Sequence, residues 1–332
     1  MDKEIAAYYN TGILQEIAKR YGIHPRQLKL LRQQIDLIFT CSNGGEDSVF
    51  KVAHSSKQAS DKIFSEVHWL DHLQKNNVNI AFPLLSENGK LMEVVKAGDT
   101  YFTVVKYNKA EGRQVTFRDW NDSFFEELGR LTGSLHTATK SYVPERGIVL
   151  RDDCVAADSE RVRKNNAAGS ELIDAMDKLL QKVNTIPRDK SSYGLLHNDI
   201  NDGNMFINKG KICLFDSADC AYSWFVTDIA VILLYAIINF DNNQPNQRLT
   251  MLVRNFMTHF WKGYLEFNQL NEKEVALIPD IMHLKSIFAF DHIQKVYSRI
   301  EQLNHVQEKY KGQLQSFWVE SFSFLNINLI GY

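Results

Sequence analysis

The hydrophobic pattern of the chain changes once, near Gly112, and this change limits the folds that are open to it. Before Gly112 the apolar residues occur in short β-prone runs, and Asn43-Gly44 is the commonest signal for a type I′ hairpin turn. One helical stripe, at about 59–75, interrupts these runs. The first helical stripe beyond Gly112 consists of Phe124, Leu128, Leu131 and Leu135. The pattern therefore predicts an α+β chain with a small β-rich part followed by a larger, mainly helical part.

A length of 332 residues fits about two domains, or one unit with two lobes. We expect a helical lead-in over 1–27 and a small lobe over 28–108, the N-lobe, with an antiparallel sheet and one helix. The remaining residues, 109–332, form the C-lobe, which is mainly helical. The junction between the two lobes falls at about 107–112.

Composition and charge exclude several classes of function. There are 38 basic and 40 acidic residues, so the net charge of −2 indicates no binding to nucleic acid or to an anionic membrane. The longest apolar run, from Ile229 to Ile238, is much shorter than the roughly 20 residues of a membrane-spanning helix. The charged N-terminus indicates no secretory signal, and the four cysteines are scattered. We expect a cytoplasmic protein, and nothing in the sequence indicates its oligomeric state.

The most informative segment is residues 197–204, which read His-Asn-Asp-Ile-Asn-Asp-Gly-Asn between two apolar runs. If the runs that follow pair as a hairpin, Asn204 and Asp216 lie near one another at its open end, and Asp199 lies on the preceding loop. Such oxygen ligands suit Mg²⁺, and one carboxylate stays available to orient or deprotonate a hydroxyl group. Asn-Asp-Gly alone is ordinary turn chemistry. The full spacing His-x-Asp-x4-Asn-x11-Asp is far rarer by chance.

This segment resembles the H-x-D-x4-N catalytic loop of the aminoglycoside phosphotransferase and choline kinase family, whose members have a protein-kinase-like fold of two lobes. Similar segments at 128–136, 215–220 and 224–230 support the resemblance, which covers about 35–235. It implies that Asp199 is the catalytic base and that Asn204 and Asp216 hold Mg²⁺ on ATP. It also implies structural roles for His197 and for Asp228, which anchors the catalytic loop.

The same resemblance assigns roles in the N-lobe. Lys51 lies in a β-prone run, and the pattern alone leaves a solvent-exposed lysine as an equal alternative. Glu66 borders the apolar stripe of the predicted helix, where a carboxylate is costly unless it is paired. The family pattern implies that Lys51 and Glu66 form an ion pair that positions the lysine over the nucleotide phosphates. It also implies that the backbone of 107–110, with Asn108 and Ala110, contacts adenine.

Two departures from the family pattern stand out. No G-x-G-x-x-G or P-loop motif occurs in the chain, and the family's nucleotide loop, near 32–36, contains no glycine here. Ala218 stands where the family often has a second aspartate. The leading hypothesis is an ATP- and Mg²⁺-dependent kinase of a small-molecule hydroxyl, such as an amino alcohol, a sugar, or a homoserine-like or aminoglycoside-like acceptor. The alternatives are a protein Ser/Thr kinase and a nucleotide-binding pseudokinase.

Overall fold

The computed structural model of the protein describes residues 9–33, 35–239 and 246–320. Its strands are β1 Lys29–Gln33, β2 Leu37–Asn43, β3 Glu46–His54, β4 Pro83–Leu84, β5 Glu93–Ala97, β6 Thr100–Asn108, β7 Arg113–Gln114, β8 Tyr193–Leu196, β9 Met205–Asn208, β10 Lys211–Leu214 and β11 Ala221–Trp224. Its helices are α1 Thr11–Arg20, α2 Ser60–Lys75, α3 Asp122–Lys140, α4 Cys154–Asn165, α5 Glu171–Val183, α6 Val226–Asn239, α7 Asn246–Tyr264, α8 Glu272–Val275, α9 Ile278–Tyr297 and α10 His305–Glu320. The predicted β-rich first part and mainly helical second part are confirmed.

One antiparallel sheet forms most of the N-lobe. Its strand order is β1-β2-β3-β6-β4, and β5 also pairs with β6. The predicted hairpin joins β2 to β3, where Asn43 pairs with Glu46. Gly44 and Gly45 are the two central turn residues, with φ of 61° and 90°, so the turn lies one residue later than the Asn43-Gly44 signal suggests. Both angles are positive, as a type I′ turn requires, and glycine adopts them without strain.

Helix α2 packs against both lobes. Near its start, Ile63 and Val67 pack beneath the sheet. Towards its end, Trp69 and Leu73 are fully buried in the core of the C-lobe, and the Trp69 indole donates a hydrogen bond to Thr139 (3.0 Å). The helix therefore connects the sheet to the C-lobe, which fixes the position of any side chain on its middle turn.

Helices α3 and α7 approach each other closely through glycines. A Cβ atom on Gly129 would lie 2.0 Å from the carbonyl oxygen of Phe260, and one on Gly263 would lie 1.9 Å from that of Glu126. Only residues without a side chain permit this backbone contact. The contact places the end of α3, with His136, beneath the loop that connects β8 to β9.

The apolar run that begins after Asp228 is part of α6, and nearly every residue of this helix is buried, so it belongs to the core. Within the described residues, no helix is long and apolar enough to cross a membrane. The sequence also predicts a helix over about 313–325; its first part is the end of α10, and residues 321–325 lie outside the described part. The sequence pattern did not predict β4, β5, β7, β11, α4 or α8.

Candidate active site

The loop 197–204 connects β8 to β9 and is fastened to the core at two points. His197 is fully buried, and its Nε2 donates to the carbonyl of Phe215 (3.3 Å). The backbone N–H of Asn198 donates to Oδ1 of Asp228 (2.8 Å), which is also fully buried. Asn198 itself adopts a left-handed backbone with φ of 67°, which asparagine tolerates better than most residues. These contacts give His197 and Asp228 the supporting positions that the family pattern implies.

A chain of hydrogen bonds orients Asp228 in turn. Asn268 donates to the Tyr264 hydroxyl (2.7 Å), which lies 2.9 Å from His136 Nδ1, and His136 Nε2 lies 3.2 Å from Oδ2 of Asp228. If the tyrosine donates to Nδ1, then Nε2 carries the proton that Asp228 accepts. Burial lowers the pKa of His136, although Asp228 opposes this effect, so the ring stays neutral. Asp228 is thus fixed by α3 and α7 together.

The carboxylate of Asp199 is half-buried and is held by three side chains. Asn201 donates to Oδ1 (2.9 Å), Asn204 donates to Oδ2 (2.8 Å), and the hydroxyl of Tyr235 donates to Oδ1 (3.1 Å). Burial, with the nearby charge of Asp199, raises the pKa of Tyr235, which therefore stays protonated and acts as a donor. A carboxylate accepts about four hydrogen bonds, so Asp199 has room for about one more.

Asn204 and Asp216 are brought together by the predicted hairpin. Met205 of β9 pairs with Leu214 of β10, and the N–H of Phe215 donates to the carbonyl of Asn204 (3.0 Å). The side-chain nitrogen of Asn204 faces Asp199, which leaves its amide oxygen available as a ligand. The Asp216 side chain is 42% exposed and its backbone has φ of 62°.

These two donors fit Mg²⁺, which takes oxygen ligands and is commonly held by one or two protein groups together with substrate phosphates and water. Among the described residues there is no group of three or more histidine, cysteine, aspartate or glutamate side chains that could hold a metal alone. The arrangement therefore suits a cation that arrives with a phosphate-bearing ligand.

Lys51 lies where the sequence predicts it, next to Glu66 of α2. Its Nζ atom is 3.7 Å from Oε2 of Glu66 and 3.8 Å from Oδ2 of Asp36, and the lysine side chain is only 9% exposed. Burial alone would lower the pKa of Lys51, but the carboxylates of Glu66 and Asp36 outweigh burial and raise it. Among the described residues, Nζ makes no hydrogen bond within normal length. A buried ammonium group in this state suits an anionic ligand.

The glycine-free loop between β1 and β2 supplies charged side chains. Gln34 lies outside the described residues. Asp36, which the sequence analysis gave no role, faces Lys51, and its pKa is raised by burial and by the charge of Asp216, against the effect of Lys51. Arg32 approaches Asp216, with 4.0 Å between Nη2 and Oδ2. Arg32 at the end of β1 and Asp36 in the loop therefore contribute a guanidinium group and a carboxylate to the same charged cluster.

The junction between the lobes already uses part of the backbone predicted to contact adenine. The N–H of Asn108 donates to the carbonyl of Phe82 (3.1 Å), and its side-chain oxygen accepts from the N–H of Phe82 (2.7 Å). A contact to adenine from Asn108 would therefore use its carbonyl oxygen. The N–H of Lys109 donates to the carbonyl of Asp47 in β3 (3.4 Å), and Ala110 is the next residue along the chain.

The structure also reveals residues to which the sequence analysis gave no role. Asp219 lies near Asp199 and Asp216, and burial, followed by the negative charges of these two carboxylates, raises its pKa. Tyr310 of α10 also lies near Asp199: burial, together with Tyr297 and Asp199, raises its pKa to about 12. Asp219 follows Ala218 within the segment 215–220 that resembles the family, so the sequence pointed to this position. Nothing in the sequence indicates that Tyr235 and Tyr310 meet at Asp199.

Comparison with known proteins fits this geometry. A model of the phosphotransferase enzyme family, APH, matches residues 34–264. The chain belongs to this family. The resemblance inferred from the sequence is therefore confirmed, and the protein is a small-molecule kinase.

Phosphotransferase-family relatives match nearly the whole chain. Amicoumacin kinase of Bacillus subtilis (strain 168) is 31% identical over 316 residues. The match covers 93% of this chain and 91% of the amicoumacin kinase. The amicoumacin kinase hAmiN, solved in complex with AMP-PNP, Ca²⁺ and Ami, superimposes with a TM-score of 0.85 at 27% identity, covering 96% of both chains. A microcompartment-associated aminopropanol kinase superimposes with a TM-score of 0.70 at 18% identity. The match covers 94% of this chain and 98% of the aminopropanol kinase, and it shows that the two share a fold. The predicted protein-kinase-like fold is thereby confirmed.

Proposed function

We propose that the protein is an ATP- and Mg²⁺-dependent kinase that transfers the γ-phosphoryl group to a hydroxyl group of a small amine-bearing molecule, with Asp199 as the catalytic base. The observation that carries this proposal is the arrangement of the Asp199 carboxylate. Asn201, Asn204 and Tyr235 each donate a hydrogen bond to it, and it can accept about one more. The relative hAmiN, which is similar over almost the whole chain, was solved with the ATP analogue AMP-PNP.

In the proposed reaction, Asp199 accepts the proton of the acceptor hydroxyl as its oxygen bonds to the γ-phosphorus. The bond from that phosphorus to the oxygen bridging to the β-phosphate breaks, and ADP leaves. The three donors around Asp199 keep the carboxylate in one orientation, so that its open position can face the hydroxyl group. A base positioned in this way contributes about 10²- to 10⁴-fold to the rate.

The nucleotide phosphates would be bound by Lys51, which Glu66 holds in place from α2. Asn204 and Asp216 would hold Mg²⁺, which offsets the negative charge on the phosphates when it is bound. The Asp228 contact to Asn198 fixes the loop that carries both Asp199 and Asn204. Residues from both lobes therefore meet where the phosphates would lie.

The acceptor side of the cleft favours a positively charged group. Asp219 lies close enough to Asp199 and Asp216 for each carboxylate to raise its pKa. The Tyr235 hydroxyl donates to Asp199, and Tyr310 lies near enough for the charge of Asp199 to raise its pKa; aromatic rings also attract cations. Arg151 is a nearby opposing charge for Asp219, and Lys285 is another basic residue of this region, with its Nζ donating to the side chain of Asn198 (3.0 Å). An amine-bearing alcohol suits this environment better than a neutral one.

The test is ATP turnover with Mg²⁺ against amicoumacin, aminopropanol, choline and spectinomycin, the compounds on which similar proteins are named to act or which they bind. Aminopropanol is compared with the corresponding propanol, which lacks only the amine. We expect the amine-bearing acceptor to be preferred. Asp219→Asn should raise the KM for that acceptor while the KM for ATP stays near its wild-type value.

Asp199→Asn should lower turnover by at least about 10²-fold and retain nucleotide binding. Asp202→Asn removes the same charge three residues away in the same loop and should keep near wild-type turnover. Unchanged turnover in Asp199→Asn would exclude the base assignment. Phosphorylation of proteins but of no small molecule would favour the protein-kinase alternative, and nucleotide binding without any phosphorylated acceptor would favour the pseudokinase.

A further inference from the structure

Arg151 binds main-chain carbonyls from both lobes. It lies between α3 and α4, in a segment that runs beside β11, where the N–H of Tyr222 donates to the carbonyl of Asp152 (2.9 Å). Its Nε donates to the carbonyl of Cys220 (2.7 Å), and its Nη2 donates to that of Ala218. Its Nη1 donates to the carbonyl of Lys62 in the first turn of α2 (3.2 Å).

The C-lobe end of this contact is the segment 216–220. This segment contains Asp216 and Asp219 and lies outside the helices and strands. Arg151 binds the carbonyls on both sides of Asp219, and Asn198 donates to the carbonyl of Asp219 itself (3.2 Å). Three successive carbonyls are therefore held by side chains from other parts of the fold.

The N-lobe end is the turn of α2 that precedes Glu66. Lys62 and Glu66 are four residues apart, so the carbonyl that Arg151 binds lies one helical turn before the partner of Lys51. A displacement of this turn would move Glu66 and, with it, the ammonium group of Lys51. The guanidinium of Arg151 thus touches both parts of the phosphate site through the backbone.

We propose that Arg151 is a positioning residue that locks α2 and the segment 216–220 in one arrangement, so that Lys51 and Asp216 face the same Mg²⁺-bound nucleotide. This inference rests on the proposed function. Arginine suits the role because its donors form a rigid planar fork, whereas the single nitrogen of lysine cannot reproduce the three contacts.

A nearby ion pair provides a matched control. Lys62 and Asp152, at 2.8 Å, span the same gap between α2 and this segment, but their side chains are 46% and 63% exposed. Exposed pairs of this kind contribute little. Lys62→Met removes this pair and leaves the carbonyl that Arg151 binds.

The first measurement is hydrogen–deuterium exchange on the protein without ligand. Arg151→Ala should increase amide exchange in both 62–66 and 216–220, and Lys62→Met should not. The second is nucleotide-induced thermal stabilisation, titrated with Mg²⁺ and AMP-PNP. We expect Arg151→Ala to need about 10- to 100-fold more Mg²⁺, as is typical when a residue that orients metal ligands is removed.

The third measurement is kinase activity with the best acceptor. Arg151→Ala should lower kcat by at least about tenfold, and added guanidinium ion should restore part of the loss. Arg151→Lys should remain close to Arg151→Ala. Wild-type Mg²⁺ dependence and wild-type exchange in Arg151→Ala would overturn the inference. If the wild type phosphorylates no acceptor, the proposed function fails, while the exchange and stabilisation measurements still test Arg151.

Discussion

The close contact between α3 and α7 can be tested by adding one methyl group. In Gly129→Ala, the new Cβ atom would lie 2.0 Å from the carbonyl oxygen of Phe260, and ordinary Cβ contacts begin at 3.4 Å. The helices must therefore separate locally by about 1.4 Å, because the obstructing atom belongs to the backbone and cannot rotate away. Overpacking costs about 1–3 kcal/mol, and we expect the upper part of this range. The better helix propensity of alanine offsets about 1 kcal/mol, which leaves a net loss of about 2 kcal/mol.

The assay is urea denaturation followed by tryptophan fluorescence, which gives the free energy of unfolding and its dependence on urea. Gly312→Ala is the matched control, because Gly312 is an exposed helical residue of α10 and a Cβ there would meet nothing within 4 Å. This control should gain up to about 1 kcal/mol. If Gly129→Ala is as stable as the wild type, the two helices are not held at backbone contact and the reasoning is wrong.

Three further predictions concern charged residues of the site. Asp228→Asn should lower the free energy of unfolding by about 2 kcal/mol and reduce kcat, because an amide cannot accept from both Asn198 and the buried histidine; chemical denaturation and turnover measure this, and an unchanged kcat would contradict it. Asp36→Asn should tighten nucleotide binding without Mg²⁺ by about tenfold, or 1.4 kcal/mol, because a carboxylate 3.8 Å from Lys51 no longer competes with phosphate; calorimetry measures this, and weaker binding would show that Asp36 instead assists the ligand. The raised pKa of Asp219 means that its contribution to stability is present in acid and lost as the pH rises through that value. Asp219→Asn should therefore have a higher Tm than the wild type at pH about 7, with the difference vanishing below pH about 4, and a constant difference across this range would refute the assignment.

Local sequence patterns were enough to predict those features of the fold and the site that depend on residues close together in the sequence. The spacing of Asn204 and Asp216 predicted their approach because the intervening runs form a two-stranded hairpin whose ends must meet. The pattern indicated that Glu66 needs a partner, since a carboxylate beside an apolar stripe is costly when unpaired, and the family resemblance identified Lys51 as that partner. The same kind of argument placed the turn between β2 and β3 within one residue.

Long-range contacts were not predictable in this way. Arg151 lies 67 residues before the carbonyl of Ala218, and Tyr235 lies 36 residues after Asp199. No short spacing relates these residues, because they meet only when helices and strands pack. The sequence of the glycine-free loop does not indicate that Asp36 faces Lys51.

By itself, the sequence determined the two-part architecture, the family and the segment that carries Asp199 and Asn204, because periodicity and motif spacing are properties of the chain alone. Only the tertiary structure decided how Asp199 is oriented, which carboxylates share the cleft with it, and how α2 is joined to the segment that carries Asp216. The physical reason is that hydrogen bonds and charge interactions act over a few ångströms in space. Residues far apart in sequence come within that distance only after the two lobes have packed together.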